Sequence, residues 1–226
     1  NHVMLGEDGR KLQEFYEQLP FGVTIEDFSL VKKRIDQLQE SGVHDIELYL
    51  LENPDERKKM VRTIQATSAN SSMLDLYQVN SFQEYLDLYS DIADWENTGW
   101  AESYSQIIAN LAQVKSHSSE YIDITAKGEA IHIGYVSWVL KGHEQDWTFV
   151  ISTHEDITER KRDEKRVKDS EARLRGLFEN APEGMFFKDA DGRYVMVNQS
   201  FADRMGTDDI SKIIGFLCVQ LMWKHI

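Results

Sequence analysis

The chain is poor in cysteine, proline and basic side chains, and it has no long apolar run. A single cysteine, Cys218, excludes an intramolecular disulfide framework and any zinc or iron–sulfur site built from several thiolates, a usage that fits a reducing compartment. No apolar stretch reaches the roughly 18 to 20 residues of a membrane-spanning helix. The first residues also lack a basic stretch followed by an apolar core. The expectation is a cytoplasmic segment that makes no membrane contact. Basic residues number 25 against 39 acidic ones in 226 residues, a formal net charge of -14, so the chain repels phosphate and is not expected to bind nucleic acid. The sequence has no G-x-S-x-G elbow, no phosphate-binding glycine loop and no cluster of metal ligands. A non-catalytic, metal-free segment is expected.

What is present begins with an uneven charge. Residues 1–158 hold 12 basic and 27 acidic side chains, residues 159–175 hold 8 and 5, and residues 176–226 hold 5 and 7. The basic segment, ERKRDEKRVKDSEARLR, has neither proline nor glycine and consists almost wholly of good helix formers. It predicts an exposed helix. Alternating three and four spacing picks out a weak seam through Ile157, Arg160, Glu164, Val167, Glu171, Leu174 and Phe178. A solvated linker helix with intrahelical acid–base pairs is the other reading of the same pattern.

The sequences on either side of this helix resemble each other. Lys11–Asp27 reads KLQEFYEQLPFGVTIED and Arg173–Asp189 reads RLRGLFENAPEGMFFKD, with Leu12/Leu174, Glu17/Glu179, Pro20/Pro182, Gly22/Gly184 and Asp27/Asp189 identical at an offset of 162. The similarity resumes at an offset of 128, where NSSMLDLYQ from Asn70 aligns with NQSFADRMG from Asn198. The difference is an insertion of 34 residues in the first copy, about residues 29–62. One face through Leu30, Val31, Ile35 and Leu38, and a second helix from about Val43 to Leu51 that stops at Asn53-Pro54, predict a helical hairpin there.

Helices are expected after Asn70, after a capping-box spacing at Ser81 and Glu84, and after Thr98-Gly99. The second of these carries Phe82, Tyr85, Leu86, Tyr89, Ile92 and Trp95. From Ser118 the period becomes two: Tyr121–Ala126, Ala130–Leu140 and Trp147–His154, with turns at Lys127-Gly128 and Lys141-Gly142. With strands near Gly22 and Ile64, the class is α+β: a five-stranded antiparallel sheet with helices on one face. The organisation expected is an amphipathic helix over 1–19, a sheet domain over 20–158, a linker helix over 159–176 and a truncated second domain over 177–226. The apolar run IIGFLCVQLMW from Ile213 is expected to be exposed in so short a copy.

The segment Glu155-Asp156-Ile157-Thr158-Glu159-Arg160-Lys161, closing the last strand, resembles the junction characteristic of PAS sensory domains. Leu177-Phe178-Glu179-Asn180-Ala181-Pro182-Glu183-Gly184 resembles the entry into a following PAS repeat. The resemblance implies a sensor module that detects a small ligand or partner. It also implies relay through Asp156, Ile157 and Thr158 to an output domain in the same polypeptide, a histidine kinase or a diguanylate cyclase of the GGDEF type, with a homodimer formed through the linker seam at Val167, Leu174 and Phe178. A ligand-free dimerisation scaffold is the alternative. Physically, Asp or Thr at a strand-to-helix junction caps free backbone N–H groups.

The cofactor is left unknown. Flavin-type members that react with light use a cysteine on a helix before the meander, and the first copy has none; Cys218 reads as a small buried hydrophobe. Haem-binding members place a histidine on the last such helix, and none occurs from Asp45 to Ser116, so haem and flavin are both disfavoured. His117 reads as a favourable charge at a helix C-terminus, and His132 as a structural strand residue. A small organic ligand would be lined by Trp100, Tyr104, Ile108, Tyr135 and Ser137, residues that could equally fill a core.

Overall fold

The computed structural model describes residues 7–90 and 100–217 and divides into two compact units, Asn1–Glu159 and Arg160–Ile226. In the first, α1 (Glu7–Glu17) leads into β1 (Gly22–Asp27), followed by α2 (Ser29–Glu40), α3 (Ile46–Glu52) and α4 (Pro54–Val61). Next come β2 (Gln65–Ala69), α5 (Ser71–Tyr77), α6 (Phe82–Ser90) and α7 (Trp100–Val114), then the meander β3 (Ser116–Ile124), β4 (Ala130–Val139) and β5 (Val150–Asp156). The five strands form one antiparallel sheet in the order β2-β1-β5-β4-β3. Gly128 and Gly142, with φ of +82° and +97°, make the two expected turns.

The sheet and its helices share a core through Phe28, Val31, Ile35, Leu50, Met73, Tyr77, Ile108, Leu111, Ile133 and Trp147, all buried. The insert is three helices rather than a hairpin. Pro54, expected only as a stop, occupies the first turn of α4, where its missing N–H costs nothing, and Asp55 and Glu56 follow it at the positive end of that helix. At the start of α6 the Glu84 N–H donates to Ser81 Oγ (3.1 Å), but the Glu84 carboxylate reaches the Asn80 N–H (2.8 Å), one residue earlier than the expected reciprocal bond. Ile92 and Trp95 lie outside the described residues, as does the side chain of Tyr89.

The last strand starts at Val150, three residues after its predicted start at Trp147. Trp147 instead sits in the loop with φ of +53°, wholly buried, its carbonyl accepting from the Phe28 N–H (2.9 Å). An aromatic anchoring a loop into the core has the same apolar signature as the first residue of a strand, which is why periodicity misplaced it.

The second unit contains most of α8 (Thr158–Glu179), then β6 (Phe186–Lys188), β7 (Tyr194–Val197), α9 (Gln199–Arg204) and a 3₁₀ turn (Ile210–Lys212). Tyr194, Val197, Ala202 and Ile213 form its small core. Burial of Ile213, 1% exposed, departs from the expectation that the apolar run from this residue lies open, whereas Ile214 beside it is exposed. The chain turns at Gly215, whose N–H donates to the Tyr194 carbonyl (2.8 Å), and Leu217 bridges to Arg193. Thus the beginning of the run closes onto the unit's own strands. Cys218 and the rest of the run lie outside the described residues.

The sequence repeat has a physical counterpart in two buried asparagines. Asn70 Oδ1 accepts from the N–H groups of Val23 (2.9 Å) and Met73 (3.0 Å), while its Nδ2 donates to the carbonyls of Tyr16 (3.2 Å) and Phe21 (3.1 Å). Asn198 Oδ1 accepts from Met185 (2.8 Å) and Phe201 (2.9 Å), and its Nδ2 donates to Phe178 (3.0 Å) and Glu183 (2.8 Å). Every partner in the second set is the offset equivalent of one in the first. Each amide thereby caps one helix and ties it to the preceding helix and strand.

Candidate ligand site and signalling junction

Antiparallel register aligns one residue from each of four strands across the inner face of the sheet: His117 on β3, Ser137 on β4, Ser152 on β5 and Thr24 on β1. All four are buried. Direct neighbours in a sheet share a face, so this is a continuous polar row beneath the helices, where apolar side chains would be the default. Among the described residues, Thr24 Oγ1, Ser137 Oγ and His117 Nε2 have no hydrogen-bond partner. Such orphans are uncommon in a folded interior and call for an explanation.

The neighbouring rows add aromatic rings and carboxylates. Tyr135 OH lies 3.1 Å from Ser152 Oγ, and Ser152 Oγ donates to Glu26 Oε2 (2.6 Å). Tyr121 OH lies 3.2 Å from His154 Nδ1, and Tyr77 OH donates to Asp123 Oδ2 (2.6 Å). The Tyr135 ring stands edge-on to His154 at 5.1 Å and tilted to Tyr121 at 5.9 Å.

Burial pushes the Glu26 carboxyl up to about 7, against the opposing Ser152 hydrogen bond, and pushes His154 down to about 3, so this imidazole is neutral. Burial, assisted by the Glu26 charge, raises the Tyr104 and Tyr85 phenols well above the usual range. Glu26, Tyr104 and Tyr121 keep some accessible surface although the surrounding protein strongly desolvates them.

Of the residues selected from sequence, Tyr135 and Ser137 lie on this inner face, Ile108 is fully buried in the core behind it, and Tyr104 on α7 is electrostatically coupled to Tyr135 and Glu26. Trp100 opens α7, but its side chain lies outside the described residues. Thr24, Glu26, Tyr121, Ser152 and His154 were not foreseen. His117 is a correction: it lies in β3, with Nδ1 2.9 Å from the Asn110 amide nitrogen, and burial lowers its pKa. A neutral ring cannot serve as the expected helix-end charge. Among the described residues there is no group of three metal-ligating side chains, and no helix is long and apolar enough to cross a membrane.

The three junction residues are tied to one point on β4. The Ile157 N–H donates to the His132 carbonyl (2.9 Å), and the His132 N–H donates to Thr158 Oγ1 (2.9 Å). Asp156 Oδ1 accepts from the Thr158 N–H (2.8 Å), satisfying a free donor at the start of α8. Thr158 therefore binds the strand, and Asp156 does the capping. Ile157 is buried, and a Cβ at Gly134 would approach its Cγ2 to 3.3 Å, so the glycine makes room for it.

Along α8, Val167 and Leu174 are exposed at 59% and 64%, while Phe178 is buried beside Phe187 at 5.7 Å. Arg160 and Lys161 pair with Glu164, and Asp163 with Arg166, within the helix.

Residues 172–224 match the family model of the PAS domain. The five-stranded antiparallel sheet with its helices makes the first unit α+β, and the family match falls in the second unit. No curated protein matches the chain in sequence. Solved structures similar to it include an RNA-binding light-oxygen-voltage receptor (13% identity, TM-score 0.47), covering 76% of this chain and 40% of the receptor. A PAS domain from Colwellia psychrerythraea is 10% identical with a TM-score of 0.41, covering 66% of this chain and 97% of that one. A sensory box sensor histidine kinase/response regulator domain from Geobacter sulfurreducens is 11% identical with a TM-score of 0.37, covering 66% and 94%. The chain thus spans about two fifths of the first of these receptors.

Proposed function

We propose that the chain is the sensory input of a multidomain signalling protein, in which a small molecule bound on the inner sheet face alters the start of α8. One observation carries the reading: β4 serves both places. Its Tyr135 and Ser137 side chains line the polar inner face, and its His132 backbone holds Ile157 and Thr158. A ligand that shifts β4 by a fraction of an ångström therefore acts on the bonds that fix the first turn of the helix.

The output domain in this reading is a histidine kinase or a diguanylate cyclase, reached through α8. The exposed Val167 and Leu174 suit pairing with a second copy in a homodimer. The second copy of the repeat, residues 177–226, is read as part of a following PAS domain, because its Asn198 reproduces the Asn70 bonds.

The competing reading is a ligand-free dimerisation scaffold, favoured by that same exposed apolar seam. Native mass spectrometry under mild conditions separates the two. A retained molecule of small mass supports the sensor, whereas a dimer of bare protein mass supports the scaffold and removes the sensor reading.

A further inference from the structure

We propose that the chain also responds to protons: Glu26 takes up a proton inside the sheet domain, and the Ser152 and Tyr135 hydroxyls carry the change across β1, β5 and β4 to the start of α8. The relay rests on the β4 reading above and adds a signal that needs no cavity.

Geometry supplies the first argument. A bulge against β2 falls between Ile25 and Glu26, an irregularity of the kind that re-aims a side chain. Ser152 Oγ donates to the Glu26 carboxyl (2.6 Å), and Tyr135 OH lies 3.1 Å from the same Oγ. The titratable groups around Glu26 are Tyr85 from α6, Tyr104 from α7 and Tyr135 from β4, with Asp123 and Tyr121 on β3 and His154 on β5 beyond them; β2 sets only Ala66 opposite it. Among the described residues no cation pairs with this carboxyl. Ionising it in such surroundings is costly, and burial accordingly raises it to about 7 against the Ser152 hydrogen bond. The same burial moves His154 and the four tyrosines away from neutral pH, which leaves the change of charge there at Glu26. Glu26 keeps some accessible surface, a route by which its proton exchanges with water.

The direction of the hydroxyl chain supplies the second argument. An ionised carboxyl only accepts, so the single Ser152 hydroxyl proton is committed to Glu26 and Ser152 Oγ takes the proton of Tyr135. Once protonated, Glu26 donates to Ser152, Ser152 turns its proton to the Tyr135 oxygen, and the Tyr135 O–H is released. Ser137 Oγ, two residues along the same face of β4, is buried without a partner in the ionised arrangement and is the acceptor that the released phenol finds. One proton gained at Glu26 thus reverses two hydrogen bonds and gives the orphan on β4 a partner. Both strands that carry the chain run into the junction: β5 ends at Asp156, which caps α8, and His132 of β4 holds Ile157 and Thr158.

The test is an NMR titration of the whole chain from pH 5 to 9, following the Glu26 carboxyl carbon and the amides of Ile157 and Thr158. The carboxyl should titrate with a midpoint near 7, and the two amide shifts should follow it with the same midpoint. Glu26→Gln, which fixes the neutral form, should abolish that component of the amide response. Ser152→Ala, which cuts the chain, should leave the carboxyl titrating at a higher midpoint while the junction loses its response. A carboxyl midpoint closer to the ordinary 4.5 than to 7 overturns the proton assignment and leaves the small-molecule reading to native mass spectrometry. A midpoint near 7 with a silent junction overturns the assignment together with the β4 relay. An amide response that persists unchanged in Glu26→Gln or in Ser152→Ala overturns the assignment as well.

Discussion

Replacing Asn70 tests the bond set that the repeat shares. In Asn70→Ala the Met73 N–H keeps the Asn70 carbonyl at 3.1 Å, but the Val23 N–H loses its acceptor inside the protein. A stranded buried donor costs about 1 to 3 kcal/mol. The carbonyls of Tyr16 and Phe21, both only partly buried, lose donors that water replaces in part, about 0.5 to 1.5 kcal/mol each. The expected destabilisation is therefore roughly 2 to 6 kcal/mol, or a fall in Tm on the order of 10 °C for a protein of this size. Urea unfolding followed by the fluorescence of the buried Trp147 reads it out. Asn70→Asp is the decisive control. As a helix cap Asp equals Asn, so a residue that merely caps would tolerate it. Here a carboxylate oxygen would face two carbonyl oxygens in place of the amide donor, and Asp should cost at least as much as Ala at neutral pH. A stability within about 0.5 kcal/mol of native for Asn70→Asp would refute the argument that the amide donates structurally important bonds.

Three further outcomes follow from the site and the junction. The Glu26 carboxyl is raised in the folded state, so the native protein holds this proton more tightly than the unfolded chain. Its contribution is complete below pH 4.5 and is lost as pH rises to about 7, an amount of about 3 kcal/mol. The stability advantage of Glu26→Gln over native in urea melts should accordingly grow across that window and then level off. His154, depressed to about 3 by burial, acts oppositely: its contribution is present above pH 6.5 and is lost as pH falls, and its ring carbons should show no imidazole titration by NMR between pH 5 and 8. Thr158→Val removes the acceptor of the His132 N–H. It should cost about 1 to 3 kcal/mol and speed hydrogen exchange at His132 and in the first turn of α8, leaving β1 amides unaffected.

The meander, its glycine turns, the linker helix and the repeat were legible because each is a local pattern: period two, a glycine at positive φ, a run of helix formers, a recurring Asn. The polar inner row was not. Along β1 the apolar residues are Val23 and Ile25, and a reader of alternation turns them inward, yet register with β5 places Thr24 and Glu26 on the inner face beside Tyr135. The rule that apolar residues face the core fails along this row. No spacing in the sequence joins His117, Ser137, Ser152 and Thr24, which only strand pairing aligns. Tyr135 and Ser137 were found because they lie two apart on a single strand. Pro54 is ambiguous in sequence because a helix stop and the first turn of a new helix both favour proline.

The same asparagine bond closes chain segments of very different length. From Asn70 Oδ1 to the Val23 N–H it spans 47 residues, and from Asn198 Oδ1 to the Met185 N–H it spans 13. Loop-closure entropy grows only logarithmically, so the longer segment costs about 1 kcal/mol more. Whether extra chain is accepted at the β1–β2 tip thus depends on its own ability to bury apolar surface, as α2 and α3 do through Val31, Ile35, Leu38 and Leu50. The tip behaves as an expansion port: whole helices can be acquired or exchanged there while a single amide keeps β1, and with it the register of the inner sheet face, in place.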